Sequence, residues 1–123
     1  MFKQATTTRV AAFFADGLEE CEALVVCDLL YRSGIPCDKV SITDNLAVVV
    51  CDRSLTDEDF SFDSYDLLFL PGGMPGTKNL RACKPLCEAA SSFVASGRTV
   101  AAVCAAPSIL AELGLLEGRR ATA

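Results

Sequence analysis

The chain has 123 residues, 51% of them hydrophobic, which is one domain's worth of sequence with enough apolar side chains to fill a core. Sixteen acidic residues against 11 basic ones give a net charge of -5 with no block of lysine or arginine, which argues against nucleic acid or an anionic membrane as partner. Residues 1–9 are short and polar before a brief apolar run that ends at Asp16, fitting neither a signal peptide nor a membrane span, so a single cytoplasmic domain over 1–123 is expected.

In chain order, short continuous apolar runs alternate with longer helical stretches, the pattern of a mostly parallel sheet covered by helices on both faces. Residues 9–15 predict a first buried strand. Asp16-Gly-Leu-Glu19 predicts a capping box opening a helix to about Ser33, stopped by Gly34 and Pro36. Residues 39–43 predict a second strand and 46–51 a further short one, half of a hairpin turning at Asp44-Asn45, followed by a polar connection over 52–65. A strongly apolar strand over 67–70 closes on Pro71-Gly-Gly, and 85–96 predicts a helix opened by proline and ended by Gly97. Residues 99–103 predict the strand that delivers Cys104, residues 109–113 continue the helix after it to Gly114, and 119–123 read as the start of another strand.

The seven cysteines are odd in number and follow no secretory signal, so free thiols are expected rather than a disulfide framework. With no histidine, no Cys-x-x-Cys, and Cys83 and Cys87 as the one close pair on a helical face, no metal site is expected. The lack of histidine also excludes a Ser-His-Asp or Cys-His triad within the chain.

Cys104 is the strongest candidate nucleophile, because the run Thr99-Val-Ala-Ala-Val-Cys104-Ala-Ala-Pro breaks from strand to helix at the cysteine. Ala102 and Ala106 are small, as a tight elbow requires, and the following helix turns unpaired N–H groups toward the sulfur, which favours thiolate. In parallel sheets, ligands gather outside the carboxyl ends of the strands, and three loops leave such ends: 16–22, 71–76 and 104–107. In the first, Glu19 and Glu20 suit a helix N-terminus. Glu22 falls in the stripe formed by Leu18, Val25, Val26 and Leu29, where a carboxylate needs a specific partner or a proton. In the second, the Gly73 N–H is placed to join the N–H of Ala105 around an oxyanion, although a glycine pair after a strand also serves a simple tight turn. Asp28 and Arg32 read first as an i, i+4 surface salt bridge, and more weakly as a substrate or interface contact.

Three stretches, Ala15-Asp-Gly-Leu-Glu-Glu-Cys-Glu22-Ala, Leu70-Pro-Gly-Gly-Met-Pro-Gly-Thr-Lys-Asn-Leu80 and Ala101-Ala-Val-Cys-Ala-Ala-Pro107, together resemble the ThiJ/PfpI superfamily in its DJ-one-like branch. The resemblance implies a flavodoxin-like three-layer α/β sandwich and a homodimer. It also implies an oxidation-sensitive nucleophile at Cys104, a protonated glutamate at Glu22 and oxyanion amides at Gly73 and Ala105. Members of the family continue past the position of Ala123, with a histidine near the nucleophile just beyond it. An incomplete fold is therefore expected, its uncovered apolar surface taken up by a partner, a second chain or self-association. The activity expected first is a cofactor-independent conversion of small 2-oxoaldehydes, or repair of glycated substrates, through the Cys104 thiolate. The alternatives are a non-enzymatic oxidative-stress sensor or chaperone based on Cys104 oxidation, and a peptidase or amidase.

Overall fold

Because residues 10–14 are apolar at every position, the strand they form must be covered on both faces, and it takes the middle of the sheet. The computed structural model describes residues 2–43 and 49–123. Its elements, in order, are β1 (Val10–Phe14), α1 (Glu20–Arg32), β2 (Cys37–Ser41), β3 (Arg53–Ser54), a 3-10 turn (Phe62–Ser64), β4 (Leu67–Leu70), α2 (Gly76–Ala82), α3 (Lys84–Ala95), β5 (Thr99–Ala102) and α4 (Pro107–Glu112). The strands lie in the order β3-β2-β1-β4-β5, and every pairing is parallel. Val10 stands opposite Cys37 on one side and Leu67 on the other, and Leu67 stands opposite Thr99.

Alternation along the strands divides the core in two. Ala11, Phe13, Val40, Leu68 and Leu70 face α2, α3 and α4, where Leu80, Leu86, Phe93, Ile109 and Leu110 are buried against them. Val10, Ala12, Phe14 and Phe69 face α1, which contributes Ala23 with Val26, Cys27 and Leu30. The result is the parallel sheet covered on both faces that the alternation of apolar runs predicts, in the flavodoxin-like three-layer form that the resemblance implies.

Several expected boundaries move. The helix does not begin with an Asp16 capping box. Leu18 N–H first closes a turn on the Ala15 carbonyl, with Gly17 in the left-handed region, and the cap is Glu19, whose carboxylate accepts the Cys21 N–H at 3.0 Å. The packing face of α1 also differs from the expected stripe. Val25 and Leu29 are 50% and 57% exposed, and Ala23 is fully buried. A methyl lets the helix approach β1 closely, which leaves Glu22 at the border of the contact rather than in its centre.

The second strand starts two residues earlier than expected, since the Val10 N–H bonds the Pro36 carbonyl and so locks the register from Cys37 onward. Part of the expected 46–51 strand and its Asp44-Asn45 turn lie outside the described residues. The observed edge strand is β3, inside the expected polar connection, and it runs parallel to β2 with Val40 opposite Arg53. A hairpin would make that pair antiparallel. Helix α2 is an unpredicted element. Its sequence carries no side-chain cap, and it forms because Thr77 and Leu80 are buried beneath it. Residues 119–123 form no strand, since Arg119 N–H turns back to the Leu116 carbonyl and no neighbouring strand pairs the residues that follow. Among the described residues no helix is long and apolar enough to cross a membrane.

Candidate active site

At the carboxyl edge of the sheet, the chain leaves β5 through Val103, whose N–H still bonds the Leu70 carbonyl of β4 at 3.2 Å. The next residue turns sharply. Cys104 has φ +56°, the sole non-glycine residue with positive φ among those described, and its side chain is exposed. A β-carbon in this left-handed region costs about 1–2 kcal/mol. The Ala106 N–H closes the turn on the Val103 carbonyl at 3.0 Å, and Ala106 is completely buried, which is why a larger residue does not fit there. Helix α4 then departs from Pro107.

The loop after β4 is pressed into the space between this elbow and α1. A β-carbon on Gly72 would lie 2.6 Å from the Cys104 β-carbon and 2.7 Å from Oε2 of Glu22, so the missing side chain of Gly72 is what lets the cysteine and the carboxylate stand together. The cysteine β-carbon and that carboxylate oxygen therefore lie no farther apart than those two distances laid end to end. Glu22 finds the partner its position demands in the Gly72 N–H, which donates to Oε2 at 3.1 Å. The next residue, Gly73, has φ +94° and packs on the backbone of Leu18 and Glu19 too tightly to admit a side chain. Its own N–H and that of Ala105 donate to no described residue.

The loop after β1 completes the arrangement. Glu19 N–H bonds the Gly72 carbonyl and Gly76 N–H the Gly17 carbonyl, each at 3.0 Å, while the Asn79 amide donates to the Asp16 carbonyl at 2.8 Å. The three loops singled out by their composition thus converge at one point. Cys104, Glu22, Gly73 and Ala105 belong to it.

Asp28 and Arg32 do not. They form an exposed i, i+4 salt bridge of 2.9 Å, with side chains 58% and 73% exposed. They sit in the second half of α1, which runs away from the carboxyl edge, so Arg32 lies about 15 Å along the helix from Glu22.

Sequence reasoning passed over three participants. Gly72 is the bare position that admits the cysteine and the carboxylate side by side, and two successive glycines where one suffices for a turn were the available signal. Arg81 of α2 donates to the Ser108 hydroxyl at 2.9 Å and pairs with Glu112 at 3.1 Å, and Ser108 in turn donates to the Ala105 carbonyl at 2.7 Å. This chain of bonds ties α2 to the peptide next to the nucleophile candidate. No local pattern marks it. Among the described residues no group of three or more His, Cys, Asp or Glu is gathered so as to hold a metal ion.

Sheet order and site together define a flavodoxin-like α/β protein with a thiol on a strained strand-to-helix corner, set beside a carboxylate and a glycine loop. The DJ-1/PfpI family model matches residues 8–123, and the chain belongs to that family. It is 36% identical over 124 residues to Protein DJ-1 homolog B of Arabidopsis thaliana, an alignment covering 96% of this chain and 28% of that protein. It is 30% identical over 105 residues to the glutathione-independent glyoxalase DJR-1.2 of Caenorhabditis elegans, covering 82% and 56%. Among solved structures, oxidized DJ-1 of Toxoplasma gondii superposes with a TM-score of 0.82 at 30% identity, covering 94% of this chain and 66% of that one. The chain thus spans from about a quarter to two thirds of the length of these relatives.

Proposed function

We propose that the chain carries the nucleophile site of a cofactor-independent enzyme that converts small 2-oxoaldehydes, such as methylglyoxal, to hydroxy acids. The observation that carries this reading is the bare position at Gly72, where the Cys104 β-carbon and the Glu22 carboxylate both stand in the space a side chain would fill. The name of the C. elegans relative as a glutathione-independent glyoxalase supports it. In the proposed reaction, the Cys104 thiolate adds to the aldehyde carbon, forming a C–S bond. The oxygen that becomes anionic is met by the N–H groups of Gly73 and Ala105, which donate to no described residue. Glu22 protonates that oxygen and then takes the proton from the former aldehyde carbon. Returned to the neighbouring carbon through an enediol, the proton leaves a thioester, which water cleaves to the hydroxy acid and free thiol. Oxidation of one carbon balances reduction of the next, so no external redox partner enters.

Glu22→Gln keeps the shape and the acceptor for Gly72 N–H but not the exchangeable proton. Turnover of methylglyoxal is expected to fall on the order of 10²-fold or more, read as lactate formed without glutathione, with the melting temperature little changed. Undiminished turnover would remove Glu22 from the reaction.

A second reading, a sensor that stores oxidation on Cys104, is favoured by the same exposed thiol and the same two N–H donors, which suit a sulfinate equally well. We place the protein in the cytoplasm, where reduced thiols persist, as all seven cysteines here are free. We further infer a homodimer, supported by the uncovered apolar side chains of α1, Leu24, Val25 and Leu29. Sedimentation at micromolar concentration is expected to give twice the chain mass, reverting to a monomer in Leu29→Glu. A wild-type chain monomeric throughout would refute the dimer.

A further inference from the structure

Two cysteines with no part in the proposed reaction meet on the α1 side of the sheet. Cys27 lies in the middle of α1 and Cys37 opens β2, and their sulfurs are 3.9 Å apart, Cys37 donating and Cys27 accepting. The pair is held there by the fold. Cys37 is fixed opposite Val10 by the β1–β2 register, Cys27 is fixed by the seating of Ala23 on β1, and both thiols pack on the apolar cluster of Val10, Ala12 and Phe14. Both are half-buried, so the site has a dry side and an open one. Cys51 touches the same cluster, but its thiol is directed to the Val49 carbonyl.

The two thiols are not equivalent. The hydrogen bond from Cys37, assisted by the charge of Lys39, outweighs burial and holds the Cys27 thiol below its ordinary range. That same bond, together with burial, pushes Cys37 far above it. Two sulfurs this close allow the division of labour that thiol oxidation uses, one attacking as thiolate while the other keeps its proton until the second step.

We propose that Cys27 and Cys37 are a reversible dithiol–disulfide site, oxidised by hydrogen peroxide and independent of Cys104. In the first step the Cys27 thiolate attacks one peroxide oxygen, the O–O bond breaks, and after proton uptake water leaves, so that Cys27 becomes a sulfenic acid. In the second, the Cys37 sulfur attacks Cys27, the S–O bond breaks, and the Cys37 proton departs with the hydroxyl as a second water. Two sulfurs have each lost one electron and peroxide has gained two. Closing to a bonded distance requires the 3.9 Å between the sulfurs to shorten by about 2 Å. The product ties the middle of α1 to the start of β2. Where a lone oxidised cysteine proceeds toward sulfinate, this pair stops at a state that small thiols reverse.

The test is a disulfide map of the whole chain. Reduced protein is exposed to a few-fold excess of hydrogen peroxide, alkylated under denaturing conditions and digested without reduction. The expected result is a cross-linked peptide joining Cys27 to Cys37, two hydrogens lighter than its reduced halves and returned to free thiols by dithiothreitol. Its yield is expected to be the same in Cys104→Ser and in Cys51→Ser. The proposal is overturned if Cys27 and Cys37 remain free thiols while Cys104 is consumed, or if either becomes sulfinate without cross-linking. A cross-link running to Cys51 instead, or one that disappears in Cys104→Ser, overturns it equally.

Discussion

Replacing Cys104 with serine is expected to lower the conversion of methylglyoxal to lactate by on the order of 10³-fold or more, because the hydroxyl is a far weaker nucleophile than the thiolate and none of these 123 residues is a histidine that could activate it. The substitution is conservative in every other respect. Serine keeps the β-carbon that lies against Gly72, carries no greater penalty at φ +56°, and remains exposed. The melting temperature is therefore expected to stay within a degree or two of the wild type, which separates loss of chemistry from loss of fold. Full activity in the serine chain would sink the enzyme reading. Should the wild-type chain show no turnover while peptide mass spectrometry finds Cys104 oxidised to sulfinate ahead of the other exposed cysteine, Cys21, the sensor reading takes its place.

A second large effect is expected from the smallest possible change, Gly72→Ala. The added methyl would stand 2.6 Å from the Cys104 β-carbon, 2.7 Å from Glu22 Oε2 and 3.1 Å from the Val103 carbonyl oxygen. Glu22 can swing its carboxylate away, since it is the end of a flexible side chain. The Cys104 β-carbon is bound to the backbone of a tight turn and cannot, so the elbow and the glycine loop must part. Overpacking of this kind costs about 1–3 kcal/mol. A displacement of the order of an ångström between reacting groups lowers turnover by about 10²-fold. Both are measurable, by thermal unfolding and by lactate formation. An alanine chain with wild-type turnover and melting temperature would mean that Gly72 does not set the spacing between thiol and carboxylate.

How far the sequence anticipates this picture depends on whether the determinant is local. Strands β1 and β4 announce themselves as continuous apolar runs, and the elbow at Cys104 is legible because a strand ending in small residues before a proline has few other uses. Glu22 is legible as a carboxylate among apolar neighbours, though for a reason that the fold modifies. It sits at the border of the helix contact, not in its middle, because Ala23 rather than Val25 or Leu29 faces the sheet. What local patterns do not carry is contact at long range. Helix α2 is held by burial of Leu80 and Thr77 rather than by propensity or caps, and β3 exists only by pairing with β2. The partner of Glu22, the Gly72 N–H, is 50 positions away, and the link from Arg81 through Ser108 to Ala105 crosses 27.

That separation in sequence has a kinetic side. The thiol, the carboxylate and the bare glycine beside them reach each other only after β1, β4 and β5 have all aligned, and parallel pairings of this kind close long loops before any contact offsets the entropy lost. Neither half of the site pre-exists in a local segment that folds early. A nascent or partly unfolded chain therefore presents Cys104 as an ordinary surface thiol, without its turn, its neighbouring carboxylate or the paired amides. On the proposed reading, reactivity at this sulfur reports that the sheet is fully assembled, and its loss marks a disturbance of any one of three strands.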